Sequence, residues 1–417
     1  MKKLGASLRS EFPVFSHNIR QCADGVVRPL CYLDSAVSTH KPQAVIDRVV
    51  AFMSRDYGSV HRGAYALSVR ASEQYEAARA RVARFIGASV SPGQVVFTRG
   101  TTESLNIVAH GLSETRLSSD KRIVITAIEH HANLVPWQQA ALKTECEIAY
   151  IPLCGTAGKD LRLDLSAAAR LISSNTAVVS LAHVGNVLGQ VNPVAEIAAM
   201  ARKVGALVVL DCAQSMTCFE ENPFDWGVDA IAFSGHKLYG STGVGVLVLS
   251  PNLLDELPPL LTGGGMISSV TLEESTWNTG TAKLEAGTPP IVEAIGLSTA
   301  LDWLEEAGRA RIHAHAATLA ARFADELRVV SGIDVFYPGT GEETIVSFRH
   351  QTLHAHDLAT ILDGSNVAMR AGHHCAWPLV KILGVDALVR ASFAAYSDGD
   401  DVEQAIEAIK AATFLLK

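Results

Sequence analysis

Short apolar runs, often β-branched, recur along the middle of the chain at 94–98, 122–128, 148–153, 177–183, 207–211, 230–234 and 244–249. Several are apolar at consecutive rather than alternate positions. A strand with one wet face keeps a polar residue at every second position, so these runs predict strands covered by helices on both faces. Segments 133–144 and 193–204 between them read as amphipathic helices. Strand–helix alternation of this kind predicts an α/β layer fold around a mostly parallel sheet. Upstream, 73–86 sets Tyr75, Ala78, Val82 and Phe85 on one helical face, with Gly87 as the stop.

The pattern changes near residue 290. Segment 261–290 is rich in Gly and Thr and has no clear period. Segment 295–330 is helical in spacing, interrupted at Gly308. Strand-like pieces follow at 345–348, 367–370 and 389–393, then a terminal helix from Asp401 towards Leu416. With 417 residues, more than one hydrophobic core usually serves, the chain is expected to form an α/β unit followed by a smaller α+β unit, with the boundary near 290.

Composition narrows the function classes. The chain is 48% hydrophobic and 19% charged, with a formal charge of −8 and no long basic run, so nucleic-acid or anionic-membrane binding lacks electrostatic support. The N-terminus carries no apolar core of a secretory signal, and no uncharged stretch is long enough to span a bilayer. Seven cysteines, odd in number and scattered, point to a reducing compartment, with the cytoplasm as the expected location.

Open α/β sheets bind ligands beyond the carboxyl ends of their strands, so polar residues there are the ones to read. Phe97-Thr98-Arg99-Gly100-Thr101-Thr102-Glu103 is a strand, a glycine turn and a helix start whose free N–H groups and hydroxyls suit a phosphate; a merely capped helix is the alternative. His130 follows the next strand and could stack on a flat ring, or simply bond to backbone. Adjacent His130 and His131 make a poor zinc pair. Asp211 ends a buried strand and needs a cationic partner, such as a protonated pyridine nitrogen, or else caps a helix. In Ser234-Gly235-His236-Lys237-Leu238-Tyr239-Gly240 a lysine follows an apolar strand, where desolvation lowers its pKa and makes it a nucleophile and Schiff-base former. In Arg370-Ala371-Gly372-His373-His374-Cys375-Ala376 a thiol lies among basic residues that favour thiolate; contiguous His-His-Cys lacks metal-ligand spacing. Arg390, inside an apolar strand, wants a carboxylate.

Together these segments resemble the aminotransferase class V group of fold-type I pyridoxal-phosphate (PLP) enzymes, and within it the cysteine desulfurases of the Suf/Csd type. The similarity runs from Leu33-Asp34-Ser35-Ala36 to the strand of Arg390, through Val60-His61-Arg62-Gly63, Glu129-His130-His131-Ala132-Asn133 and Leu284-Glu285-Ala286-Gly287-Thr288-Pro289. It implies a large PLP-binding domain at 29–290 with a seven-stranded sheet, a small domain at 291–417 carrying the acceptor cysteine, and residues 1–28 packing with the latter. It implies Lys237 as the residue holding PLP, Asp211 at the ring nitrogen, Gln214 at the ring hydroxyl and His130 on the ring face. Thr101, Thr102, Ser234 and His236 are implied at the phosphate, with Thr288 reaching it across a homodimer interface. Asn186, Arg370 and Arg390 are implied around the substrate carboxylate, and Cys375 as the sulfur acceptor that passes a persulfide to a SufE-like or SufU-like protein. No metal is implied.

Three positions depart from the group's usual pattern: Gly185 where Ser is common, Ser241 where Pro is common, and Cys212 where Gly is common. None removes a group the chemistry requires. Two other readings stay open, a selenocysteine lyase, cysteine-sulfinate desulfinase or related class V lyase, and a scaffold that has kept the fold without the activity.

Overall fold

The computed structural model describes residues 4–61, 63–156, 158 and 160–414; Arg62 and the end of the terminal helix at Leu416 lie outside them. Seven strands form the principal sheet: β1 (Val95–Thr98), β2 (Arg122–Thr126), β3 (Glu147–Ile151), β4 (Thr176–Ala182), β5 (Leu207–Asp211), β6 (Ala230–Ser234) and β7 (Gly245–Leu249). Their order across the sheet is β1-β7-β6-β5-β4-β2-β3. All pairs are parallel except those made by β7, which runs against both β6 and β1. β6 and β7 are buried at every position, as the pattern required, while the edge strand β3 exposes Glu147 and Tyr150.

Helices cover the two faces. One layer contains α1 (Gln43–Arg55) and α2 (Ala66–Ile86); α3 (Thr101–Thr115), α4 (Val135–Thr144) and α5 (Val194–Val204) connect successive strands, and α6 (Ile291–Ala307) packs on both α1 and α2. Gly308, with φ of +86°, ends α6 and lets α7 (Arg309–Arg328) start in a new direction, a backbone conformation that costs any residue with a Cβ.

A second, antiparallel sheet follows, made of β8 (Ile333–Phe336), β9 (Ile345–His350), β10 (Arg370–Gly372) and β11 (Leu388–Ser392) in the order β8-β9-β11-β10. α7 and α8 (Gly399–Phe414) pack together beside it and share its apolar cluster. The N-terminal segment ties in here: the Gly5 N–H donates to the Ala395 carbonyl at 2.9 Å, and Arg9 pairs with buried Asp401 at 2.8 Å. Phe12 packs edge-on against Trp303 and Tyr396. Among the described residues, no helix is long and apolar enough to cross a membrane.

Candidate functional site

The parallel register brings β4, β5 and β6 to a common carboxyl edge, where Asp211 pairs with Ala182 on one side and Ala232 on the other. A cavity of about 220 Å³ opens there. Asp211 lines it, 5% exposed, with Oδ1 accepting from the Ala213 N–H at 2.8 Å. Burial raises its pKa; that hydrogen bond and the Lys237 charge oppose the shift. β6 runs on through Ser234 into a tight turn, Gly235–Lys237, that turns the lysine back into the same cavity. Among the described residues no hydrogen bond engages the Lys237 amine. Burial lowers its pKa to about 8, with Asp211 acting the other way. An amine and a carboxylate therefore share one partly dry hollow.

The opposite end is built by the start of α3. Ser234 Oγ accepts from the Thr101 N–H at 2.8 Å and lies 2.7 Å from Thr101 Oγ1, while Thr102 is exposed beside them. Thr102, His236 and Gln214 also line the cavity. Gln214 Nε2 donates to the Ala36 carbonyl at 2.7 Å and keeps a second N–H. Burial lowers the His236 pKa to about 4.

His130 stands on the turn between β2 and α4. Its Nδ1 accepts from the Ala132 N–H at 3.0 Å, which leaves the hydrogen on Nε2, and burial lowers its pKa to about 3, with Lys237 second. The turn is fastened from below by buried Glu129, which accepts from Thr126, from Asn133 Nδ2 at 2.6 Å and from the Ala182 N–H at 3.1 Å. Asn133 Oδ1 in turn accepts from Trp137 at 3.1 Å and Ser180 at 2.6 Å. Every polar atom of this knot has a partner, so it can be buried without leaving a charge stranded.

The second sheet supplies the far wall. Arg390 on β11 lies directly opposite Arg370 on β10, a like-charge pair that needs an anion between. Asp34 supplies it, 3.2 Å from Arg370 Nε and 3.5 Å from Arg390. Arg390 is 2% exposed, donates to the Asn186 carbonyl at 2.6 Å, and has a buried Nε with no partner among the described residues, so capacity for a further acceptor remains. Burial lowers its pKa to about 10. Beyond β10 the loop carries exposed Cys375 to the cavity rim. His374 and Cys375 both have left-handed backbones, φ +52° and +55°.

Of the residues singled out in the sequence, Thr101, Thr102, His130, Asn186, Asp211, Gln214, Ser234, His236, Lys237, Arg370, Cys375 and Arg390 all line this one cavity. Thr288 does not. It lines a separate hollow with Thr98, Arg99 and Glu285. Cys212 is buried behind Asp211, and burial pushes its thiol well above the usual range. Asp34 and His131 were assigned no role from the sequence; the segment Leu33-Asp34-Ser35-Ala36 held the signal for the first, a carboxylate closing an apolar run.

The donor set fits PLP: a carboxylate for a protonated pyridine nitrogen, a helix start with hydroxyls for a phosphate, a neutral histidine for the ring face and an amine for the aldehyde. Among the described residues no group of three His, Cys, Asp or Glu side chains is placed to hold a metal ion.

Comparison with known proteins points the same way. The aminotransferase class-V family matches residues 31–405. A cysteine desulfurase of Haloferax volcanii is 43% identical over 413 residues, 97% of this chain and 96% of that one. A cysteine desulfurase of Cronobacter sakazakii is 38% identical, covering 96% of each. The solved cysteine desulfurase CsdA of Escherichia coli superposes with a TM-score of 0.89 at 35% identity over 98% of both chains.

Proposed function

The chain belongs to the aminotransferase class-V family, among its cysteine desulfurases of the Suf/Csd type, and we propose on that premise that Lys237 and Cys375 divide the conversion of L-cysteine to L-alanine between them. PLP, the cofactor of this family, supplies a conjugated ring that draws electron density from the bonds at the substrate's Cα. Lys237 would hold it through the ε-amine, Asp211 would face the ring nitrogen, Gln214 the ring hydroxyl and His130 the ring face. Thr101, Thr102, Ser234 and His236 would hold the phosphate.

Arg390, with Arg370 and Asn186 beside it, binds the cysteine carboxylate and fixes which substrate bond is activated. The Lys237 amine, lowered towards neutrality, takes the Cα proton. The Cys375 thiolate attacks the substrate sulfur: an S–S bond forms, the C–S bond breaks, and its electron pair stays on Cβ, which is protonated as alanine leaves. Cys375 is left as a persulfide. Its exposure suits delivery to a SufE-like or SufU-like acceptor. In this reading residues 29–290 hold the cofactor, 291–417 present the acceptor thiol, and 1–28 pack with the latter. The seven cysteines, all free, fit a reducing cytoplasm. α1 leaves Ile46, Val50 and Met53 exposed along one face, which a second copy would cover in a homodimer, with Thr288 at the partner's phosphate.

One observation carries this reading: the amine of Lys237, the carboxylate of Asp211 and the thiol of Cys375, drawn from distant parts of the chain, open onto one cavity. The Cys375→Ala variant is expected to keep its bound, coloured cofactor yet form no persulfide and release alanine from cysteine at under a tenth of the parent rate. Undiminished release of sulfur from cysteine would refute the assignment. Persistent release from selenocysteine or cysteine sulfinate alone would favour a lyase of those substrates.

A further inference from the structure

The loop that presents Cys375 sits in an unfavourable conformation. His374 and Cys375 are successive residues with side chains in the left-handed region, which L residues visit rarely and hold only where the surroundings dictate it. The restraints come from across the cavity. Asn186 Nδ2 donates to the His374 carbonyl at 2.6 Å. The His131 N–H donates to the Cys375 carbonyl at 2.6 Å, and His131 Nε2 accepts from the Trp377 N–H at 3.1 Å. His131 thus grips the chain on both sides of residue 376.

We infer that His131 is a positioning residue for sulfur transfer, holding the Cys375 thiol at the distance and angle from which it meets the substrate sulfur. This rests on the reading of Cys375 as the sulfur acceptor. The neighbouring histidines then have separate tasks: His130 faces the cavity, and His131 looks outward to the loop. Trp377 begins a short helix, Trp377–Ile382, so its N–H has no partner within that helix, and His131 is the acceptor it finds. Accepting at Nε2 requires the neutral ring with its hydrogen on Nδ1. Burial, with His373 second, keeps the His131 pKa below the ordinary histidine value, so that form prevails at neutral pH. A reacting thiol displaced by about 1 Å can lose on the order of a hundredfold in rate. A loop strained at two residues and clamped from outside is the kind of element that shifts when a clamp is removed.

The test compares two substitutions in the PLP-loaded protein. Glutamine can present an acceptor oxygen about where Nε2 lies, whereas asparagine reaches only as far as Nδ1. His131→Asn is expected to slow persulfide formation on Cys375, followed by mass spectrometry after mixing with L-cysteine, by fivefold or more. His131→Gln should stay within threefold of the parent. Alanine release from cysteine sulfinate, whose leaving group needs no thiol to take it, should be unchanged in both. A loss below fivefold for His131→Asn, an equal loss in both variants, or an equal loss with cysteine sulfinate would overturn the inference. A parent protein that forms no persulfide on Cys375 would overturn the functional reading along with it, and is scored before the variants. If His131→Asn does not fold, amide hydrogen exchange at Trp377 in the parent decides: slow exchange supports the clamp, and exchange at the rate of a free loop refutes it.

Discussion

Lys237 titrates at about 8 because burial penalises its charged form more than Asp211 rewards it. At pH 7 roughly a tenth of the amine is then free, against a few parts in ten thousand for an ordinary lysine. Only the free amine can attack the cofactor's aldehyde, so PLP uptake by apoprotein should accelerate about tenfold per pH unit below neutrality and level off above pH 8 to 9. Following visible absorbance across that range checks it; a rate still climbing tenfold per unit at pH 10 would mean a normal lysine. Lys237, Asp211 and Cys375 could be picked out in the sequence because the first two close apolar strands and the third lies among basic residues, although Asp211 alone could also have been a helix cap. The pairings of Asp34 and His131 were not legible, although the segment around Asp34 marked that residue, because they depend on partners far along the chain. Arg390 is 356 positions from Asp34, and Trp377 is 246 from His131. A single sequence carries no record of such pairings.

The turn between β2 and α4 depends on a buried knot rather than on its own propensity. Asn133 donates to Glu129 and accepts from Trp137 and Ser180, and burial raises the Glu129 pKa to about 7. Replacing Asn133 with Ala strands three buried groups at once, and each unpaired group costs about 1–3 kcal/mol. The variant should lose about 3 kcal/mol or more in urea unfolding, together with weaker PLP retention, since His130 rides on the same turn. A loss under 1 kcal/mol would show that the knot relaxes freely. Among the elements, the seven principal strands were foreseen within one or two residues, since their apolar runs have no other use. α2 begins at Ala66 rather than near 73: its first turns carry no steady apolar face, with Val69 exposed and Ser68 buried against the Ser59 carbonyl, and Tyr65 offers no capping side chain to mark the start. The hairpin of Ile267–Val270 with Ser275–Trp277 went unseen because it is largely exposed and carries no buried stripe. Segment 367–370 divides in two: Val367–Ala368 pairs with Cys31–Tyr32, and β10 with β11.

Across the whole molecule, acid should destabilise the fold. Burial lowers the pKa of His40, His130, His131, His183, His236, His350 and His374. As pH falls below about 6.5, the unfolded chain takes up protons at these positions that the native state refuses, so stability falls. Glu129, Asp211, Asp229 and Asp401, raised by burial, act in the opposite sense but are fewer. The melting temperature should therefore drop between about pH 7 and pH 5, which a thermal scan would read; a flat or rising profile would contradict the balance drawn here. The strand order has a consequence of another kind. Among the described residues β1 is bonded only to β7, and the residues it meets are roughly 150 positions further along, a separation that makes pairing slow. While the ribosome is still extending the chain towards Leu249, β1 has no strand to pair with, and the part of α3 that packs on β7 waits uncovered, a surface that chaperones bind. The first strand of the sheet to be synthesised is the last to find its place.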